Sequence, residues 1–282
     1  MKTAQQLVVF YLRAKLNFQA VFSSKWAAKT AFRIFSTPYR KPRPIAPPVF
    51  EKSKPVHLRV NGLNIYGYCW HPEYEKKILI IHGFESRAYN FDRYIQPILN
   101  VGYGVYAMDA QAHGKSEGKT ITVPEYTAML RELEGKVGKF NGYMAHSFGG
   151  LAISLYQENG DNENARIVLI APATETTSAI DLFVRFFRLS NGVKTGIHKF
   201  IIDKSGKDPS YYSIRRAVKQ IKNPVLWVHD EDDDITPLND VKPVIDSQPK
   251  NIEFMITSGL GHRRIYKDNK VVKKTIAFLT ES

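Results

Sequence analysis

Residues 145–150 read Ala-His-Ser-Phe-Gly-Gly, with an apolar run over 140–144 before them and a small-residue, helix-forming stretch over 149–156 after them. A serine lifted onto a tight turn between a strand and a helix exposes a nucleophilic hydroxyl. The residues two positions to either side must be small, because strand and helix approach closely there; Ala145 and Gly149 meet that demand. A serine hydroxyl is a poor nucleophile until a base takes its proton and a third group orients that base. Histidine is the natural base near neutral pH. Among eight histidines, His262 stands out in Ser258-Gly259-Leu260-Gly261-His262, a glycine-rich loop expected between the last strand and the last helix. The orienting acid should come from another strand end, and residues 226–229 run into the cluster Asp230-Glu231-Asp232-Asp233-Asp234. His82, His113 and His146 read as residues that fix or pack their own loops.

Positioning these groups requires strands that end near one another. Residues 56–69 predict a hairpin around Asn61-Gly62. Short apolar strands are expected at 77–81, 105–109, 140–144, 166–171, 223–229 and 252–257, with helices at 90–99, 124–137, 237–247 and from about 264 to 279. Strands alternating with helices, their runs apolar and uninterrupted, predict an α/β fold with a mostly parallel central sheet covered on both faces, the hairpin antiparallel at one edge. In such sheets ligands bind at the C-terminal edge. There is no internal repeat, metal-finger spacing or Gly-rich phosphate loop, so neither metal nor cofactor is expected.

These residues together resemble serine hydrolases of the α/β-hydrolase superfamily, near the lid-bearing esterase and monoacylglycerol-lipase-like branch, over roughly residues 56–282. The resemblance implies the α/β-hydrolase fold and the order Ser147, acid, His262. The family's acid loop, His-Gly-x-x-Asp with Pro four residues on, aligns with His229 to Asp233 and Pro237; it implies Asp233 as the acid, with Asp234 the alternative and Asp230 standing where glycine is usual. It also implies an oxyanion hole from the backbone N–H groups of Phe148 and of Phe84, the latter just after His82-Gly83. The segment Asp109…His113-Gly114-x-Ser116 matches a further family segment except that Ala112 replaces a glycine. Ala145 likewise departs from the usual G-x-S-x-G. Alanine fits there only with extended backbone, so the strained position is expected at Ser147.

Between Ala173 and Asn223 lie 49 residues, more than a crossover needs. With 213–221 as the helix before the next strand, residues 174–210 fall where the family carries its lid. Of its apolar residues, Phe183, Phe186, Phe187 and Phe200 are expected to line an apolar pocket; the competing expectation is that they only pack the lid.

The net charge of +13 is concentrated at one end: residues 1–50 hold nine basic residues and no acidic one. That excludes a protein-wide nucleic-acid surface. Residues 3–22 and 24–35 predict two helices, and the prolines at 38, 42, 44, 47 and 48 a semi-extended linker. The expected organisation is a basic helical arm with a Pro-rich linker over 1–50, then a hydrolase domain over 51–282. The arm is neither a transmembrane span nor a good signal peptide. Residues 1–35 read as a helical appendage packed on the body or self-associating, as a peripheral membrane anchor, or as an organellar transit peptide. The single cysteine, Cys69, rules out an internal disulfide, and the location expected is cytoplasmic, peripheral to a membrane if the arm lies on one.

The function implied is hydrolysis of a small-molecule carboxylic ester, hydrophobic or lipid-like, through an acyl-serine intermediate. A thioesterase, a serine peptidase or an acyltransferase would use the same residues. A non-catalytic binding module on this fold is the alternative from another class.

Overall fold

A computed structural model describes residues 3–39, 45–160 and 162–281, with the side chains of the first helix described from residue 6. Pro42 and Pro44 of the expected linker lie outside the described residues. The chain divides into two compact units, one of residues 1–37 with 175–213, the other of residues 38–174 with 214–282.

In chain order the helices are α1 (Thr3–Phe22), α2 (Ser24–Phe35), α3 (Asp92–Asn100), α4 (Val123–Val137) and α5 (Phe148–Gln157). They continue with α6 (Thr176–Phe187), α7 (Asn191–Ser205), α8 (Ile214–Ala217), α9 (Leu238–Asp246), α10 (Gly261–Arg264) and α11 (Asn269–Thr280). The strands are β1 (Lys54–Val60), β2 (Leu63–Trp70), β3 (Lys77–Ile81), β4 (Gly104–Met108), β5 (Gly142–His146), β6 (Arg166–Ile170), β7 (Val225–Asp230) and β8 (Ile252–Thr257).

The larger unit is built on one eight-stranded sheet in the order β1-β2-β4-β3-β5-β6-β7-β8. Only β2 runs against its neighbours, pairing antiparallel with β1 and β4; every other pairing is parallel. The hairpin turns on Asn61 and Gly62, both with positive φ (48° and 81°), the conformation that matches the twist of paired strands. Strands β4, β5 and β7 are buried along their whole length, as expected of strands covered on both faces. The expected mostly parallel sheet with an antiparallel edge is therefore the observed one. Its consequence for chemistry is that the ends of β3, β5, β7 and β8 share one edge of the sheet, so residues 82–84, 147, 230–233 and 262 converge there.

Three details differ from expectation. The linker ends in a 3₁₀ turn, Pro48–Lys52, where proline costs nothing because its missing N–H is one that a first turn leaves unpaired. Phe50 anchors this turn among Tyr68, Trp70 and Tyr89, at ring distances of 4.9, 5.0 and 4.4 Å. The helix expected over 213–221 shortens to the single turn α8: Ser213 before it pairs with Glu175 in an isolated bridge, and residues 218–220 after it form a turn. The final helix is broken: Asp268 caps α11 by accepting from the Lys270 and Val271 N–H groups, and α10 with a 3₁₀ turn precedes it. His262 thus sits in the first turn of a short helix.

The smaller unit is all-helical. Arg13 on α1 donates to the Phe186 carbonyl of α6 at 2.6 Å. Phe32 of α2 meets Phe200 of α7 at 5.1 Å, and Phe35 meets Phe183 of α6 at 5.5 Å. The N-terminal helices and the insertion, more than 130 residues apart in sequence, bury their aromatic rings against one another.

Candidate active site

The turn from β5 to α5 sets the geometry. Ser147 has φ 54° and ψ −122°, a conformation that strains a residue with a side chain. Ala145 lies inside β5, paired with Ile81 and Leu169, and is absent from the positive-φ residues. The strain falls on Ser147, as the alanine in the motif demands. Gly149 explains why the turn stays tight: a Cβ there would stand 2.6 Å from the His82 carbonyl oxygen, closer than any real side chain comes. A Cβ on Gly83 would stand 2.7 Å from the Ser147 Cβ, so the loop after β3 lies directly against the serine.

The structure brings Ser147, His262 and Asp233 into one hydrogen-bonded chain. His262 Nε2 lies 3.0 Å from Ser147 Oγ, and His262 Nδ1 lies 2.8 Å from Asp233 Oδ2. All three residues are buried, whereas Asp234 is exposed. Asp233 also accepts from the N–H groups of Ile235 and Thr236 and from the Thr236 hydroxyl. Burial alone would raise its pKa. Its hydrogen bonds and charge interaction with His262, with those from Thr236, outweigh burial and hold the carboxyl below its ordinary value. An ionised Asp233 keeps the proton of His262 on Nδ1 and leaves Nε2 free to accept from Ser147.

The Phe148 and Phe84 amides expected to form an oxyanion hole belong to the first residue of α5 and to the loop beside Ser147. Among the described residues, neither N–H has a backbone acceptor. Their rings meet edge to face at 6.1 Å and are only partly covered, giving the site an apolar border.

Three further histidines near the site, His82, His113 and His146, are held in neutral form near pH 7. His82 donates from Nδ1 to the Gly83 carbonyl at 2.7 Å and accepts at Nε2 from the Ala110 N–H at 2.9 Å. His113 donates to the Gln111 carbonyl and accepts from the Glu85 N–H, fixing the segment after Phe84. His146 donates from Nε2 to the carbonyl of His262 at 3.1 Å. Burial, the largest cause in each, lowers their pKa values to about 4, about 3 and about 3 respectively. Ala112 adopts φ 63°, in the left-handed region that favours glycine, the residue that the resembling family segment carries there.

Asp230 is a residue whose role the sequence did not disclose. It is fully buried. Oδ1 accepts from the N–H groups of Gly261 at 2.8 Å and Asp232 at 3.1 Å; Oδ2 accepts from the Thr257 hydroxyl at 2.6 Å and the Leu260 N–H at 3.1 Å. Burial again opposes ionisation and these four donors outweigh it, holding the pKa low. Asp230 therefore ties the loop that carries Asp233 to the loop that carries His262. The signal that could have found it was an aspartate in a position where glycine is usual. Thr236, bonded to Asp233 and 3.1 Å from His262 Nδ1, was missed in the same way. His229, its Nε2 donating to the Thr236 carbonyl at 2.6 Å, braces the same loop.

The aromatic residues expected to line a pocket make their ring contacts inside the helical unit. Phe183 meets Phe35 and Phe187, and Phe200 meets Phe32. Phe186 meets Phe187 and is 48% exposed. Among the described residues, no group of three or more His, Cys, Asp or Glu is placed to hold a metal ion.

The sequence model of the family described as Hydrolase_4, serine aminopeptidase S33, matches residues 72–215, just over half of the chain. The Bacillus subtilis protein YqkD is 24% identical over 240 residues, covering 80% of this chain and 78% of that protein. A monoacylglycerol lipase of Mycolicibacterium smegmatis is 23% identical over 171 residues, covering 56% of this chain and 61% of the lipase. Among solved structures, the Pyrococcus furiosus esterase Pf2001 superposes with a TM-score of 0.62 at 19% identity, covering 85% of this chain and 96% of the esterase; that likeness is one of fold.

Two outcomes follow from the buried polar groups. His82, His113 and His146 are charged below about 6.5 in an unfolded chain but stay neutral in the folded one to about 4 or lower. Their contribution is whole above pH ~6.5 and is lost as pH falls toward their folded values, by ~1.4 kcal/mol per pH unit for each. Urea unfolding at pH 7, 6 and 5 is expected to show a steep decline, and stability flat over that range would contradict it. Asp230→Asn turns one acceptor oxygen into a donor facing other donors. It is expected to lower the unfolding free energy by ~2–3 kcal/mol and to speed hydrogen exchange at Leu260 and Gly261. Unchanged exchange at those amides would show that Asp230 does not hold the loop.

Proposed function

We infer the function of this chain from its family and its site: it belongs to the serine aminopeptidase S33 family, Hydrolase_4, among the α/β-hydrolase serine hydrolases. We propose that it hydrolyses carboxylic esters through an acyl-serine intermediate, on substrates with a hydrophobic acyl or alkyl group. The observation that carries this reading is the unbroken path from Ser147 through His262 to Asp233 on a serine of positive φ.

In this reading His262 Nε2 takes the Ser147 proton as Oγ attacks the ester carbonyl, and Asp233 stabilises the imidazolium that forms. The developing oxyanion accepts from the N–H groups of Phe148 and Phe84, which stand ready without backbone partners. Losing one such donor costs ~3–4 kcal/mol of barrier. His262 then protonates the leaving alcohol, and a water activated by the same imidazole cleaves the acyl-serine. His82, His113 and His146, neutral and committed to backbone partners, position the loops and exchange no protons. The partly exposed rings of Phe84 and Phe148 favour an apolar substrate, and the monoacylglycerol lipase among the relatives agrees with a lipid-like ester. A second reading, peptide hydrolysis by the same residues, is favoured by the family's own description.

A nitrophenyl-ester series from acetate to dodecanoate, run beside aminoacyl nitroanilides, separates the readings. We expect kcat/KM to rise by at least about tenfold from acetate to octanoate as methylenes are buried. Ser147→Ala should reduce turnover by at least about 10³-fold. Nitroanilide turnover exceeding ester turnover would support the peptidase instead, and no turnover of either by folded protein would overturn the reading.

A further inference from the structure

The helical unit carries an apolar surface that no described residue of that unit covers. On α1, Leu7, Phe10, Tyr11, Phe18, Val21 and Phe22 recur at spacings of three and four and lie between 60 and 82% exposed. They form one stripe along the helix. The opposite face is committed: Leu16 is fully buried, and Arg13 donates to the Phe186 carbonyl of α6. The stripe therefore cannot turn inward without undocking the helix. On α2, Trp26 is half exposed as well. Contiguous exposed apolar surface of this kind marks an interaction site.

The charge of the unit selects the occupant. Its residues include twelve Lys and Arg against four Asp and Glu, and α1 and α2 contain no acidic residue at all. Lys25, Lys29 and Arg33 are exposed on α2. A second copy would bring two strongly positive units together, whereas an anionic bilayer matches both the aromatic stripe and the charge. No helix among the described residues is long and apolar enough to cross a membrane.

The geometry points to α1 and α2 as a membrane-surface anchor. The apolar stripe of α1 enters the interface of an anionic bilayer, and the basic residues of α2 meet its head groups. The anchor does not depend on the chemistry of Ser147, and its test reads binding alone.

The test is co-sedimentation of the full-length chain with vesicles of phosphatidylcholine, and with vesicles of phosphatidylcholine and phosphatidylglycerol at seven to three. Binding to the anionic vesicles is expected to be at least about tenfold tighter than to the neutral ones and to weaken in high salt. The combined substitution Phe18→Ser, Val21→Ser and Phe22→Ser should reduce it by about tenfold or more without changing the thermal melt, since all three side chains are exposed. A second variant, Lys25→Glu with Lys29→Glu, should lose the preference for anionic vesicles. Absence of vesicle binding, equal binding to both compositions, or binding untouched by the triple substitution would overturn the proposal. So would a dimer in light scattering that the triple substitution dissolves, because a second copy would then cover the stripe.

Discussion

The close approach of the β5–α5 turn to the end of β3 governs the whole site. Gly149 leaves no room for a side chain beside the His82 carbonyl, and Gly83 leaves none beside Ser147. That approach forces Ser147 into positive φ, and the surrounding sheet must stabilise a conformation that costs about 1–3 kcal/mol by itself. The amides of Phe84 and Phe148, expected to hold the oxyanion in the reaction that we propose, follow directly on Gly83 and Ser147 and have no backbone acceptor among the described residues. Two glycines and one strained serine thus set where the nucleophile of the proposed reaction stands, before any charged group is considered.

The charged and titratable groups then divide into those that can exchange a proton and those that must not. His262 lies between a hydroxyl and a carboxylate. His82, His113, His146 and His229 are buried among backbone partners, and burial lowers the pKa of each. Asp230 and Asp233 stay ionised in the interior because each receives several donors. The polar interior is satisfied mainly by backbone amides of the loops themselves, so these side chains hold the loops as much as the loops hold them. His146, through the carbonyl of His262, and Asp230, through Gly261, grip the same turn from two directions.

The sheet was legible in the sequence because β3 and β8 are short, punctuated runs, and because Asn61-Gly62 specifies a hairpin whatever surrounds it. Ser147 and His262 were legible through the glycines beside them. Asp233 was legible only through a family pattern, since five neighbouring acidic residues cannot be told apart by composition; what separates them is the direction in which one loop turns. Asp230 and Thr236 were hidden for the same reason, their roles residing in hydrogen bonds to residues up to 31 positions away. The break before α11 was hidden because Asp268 reads equally as a helix residue and as a cap. The partnership of residues 1–37 with the insertion was out of reach, because no local pattern records which distant aromatic ring will cover another.

In the proposed reaction Ser147 is a nucleophile activated by His262. Incubating the full-length chain with a fluorophosphonate and measuring intact mass, then the modified peptide, tests it most directly. A single adduct on Ser147 is expected, formed rapidly by the native chain and lost in His262→Ala although Ser147 remains. Folded protein that takes up no adduct, or takes it up at another residue, would contradict it.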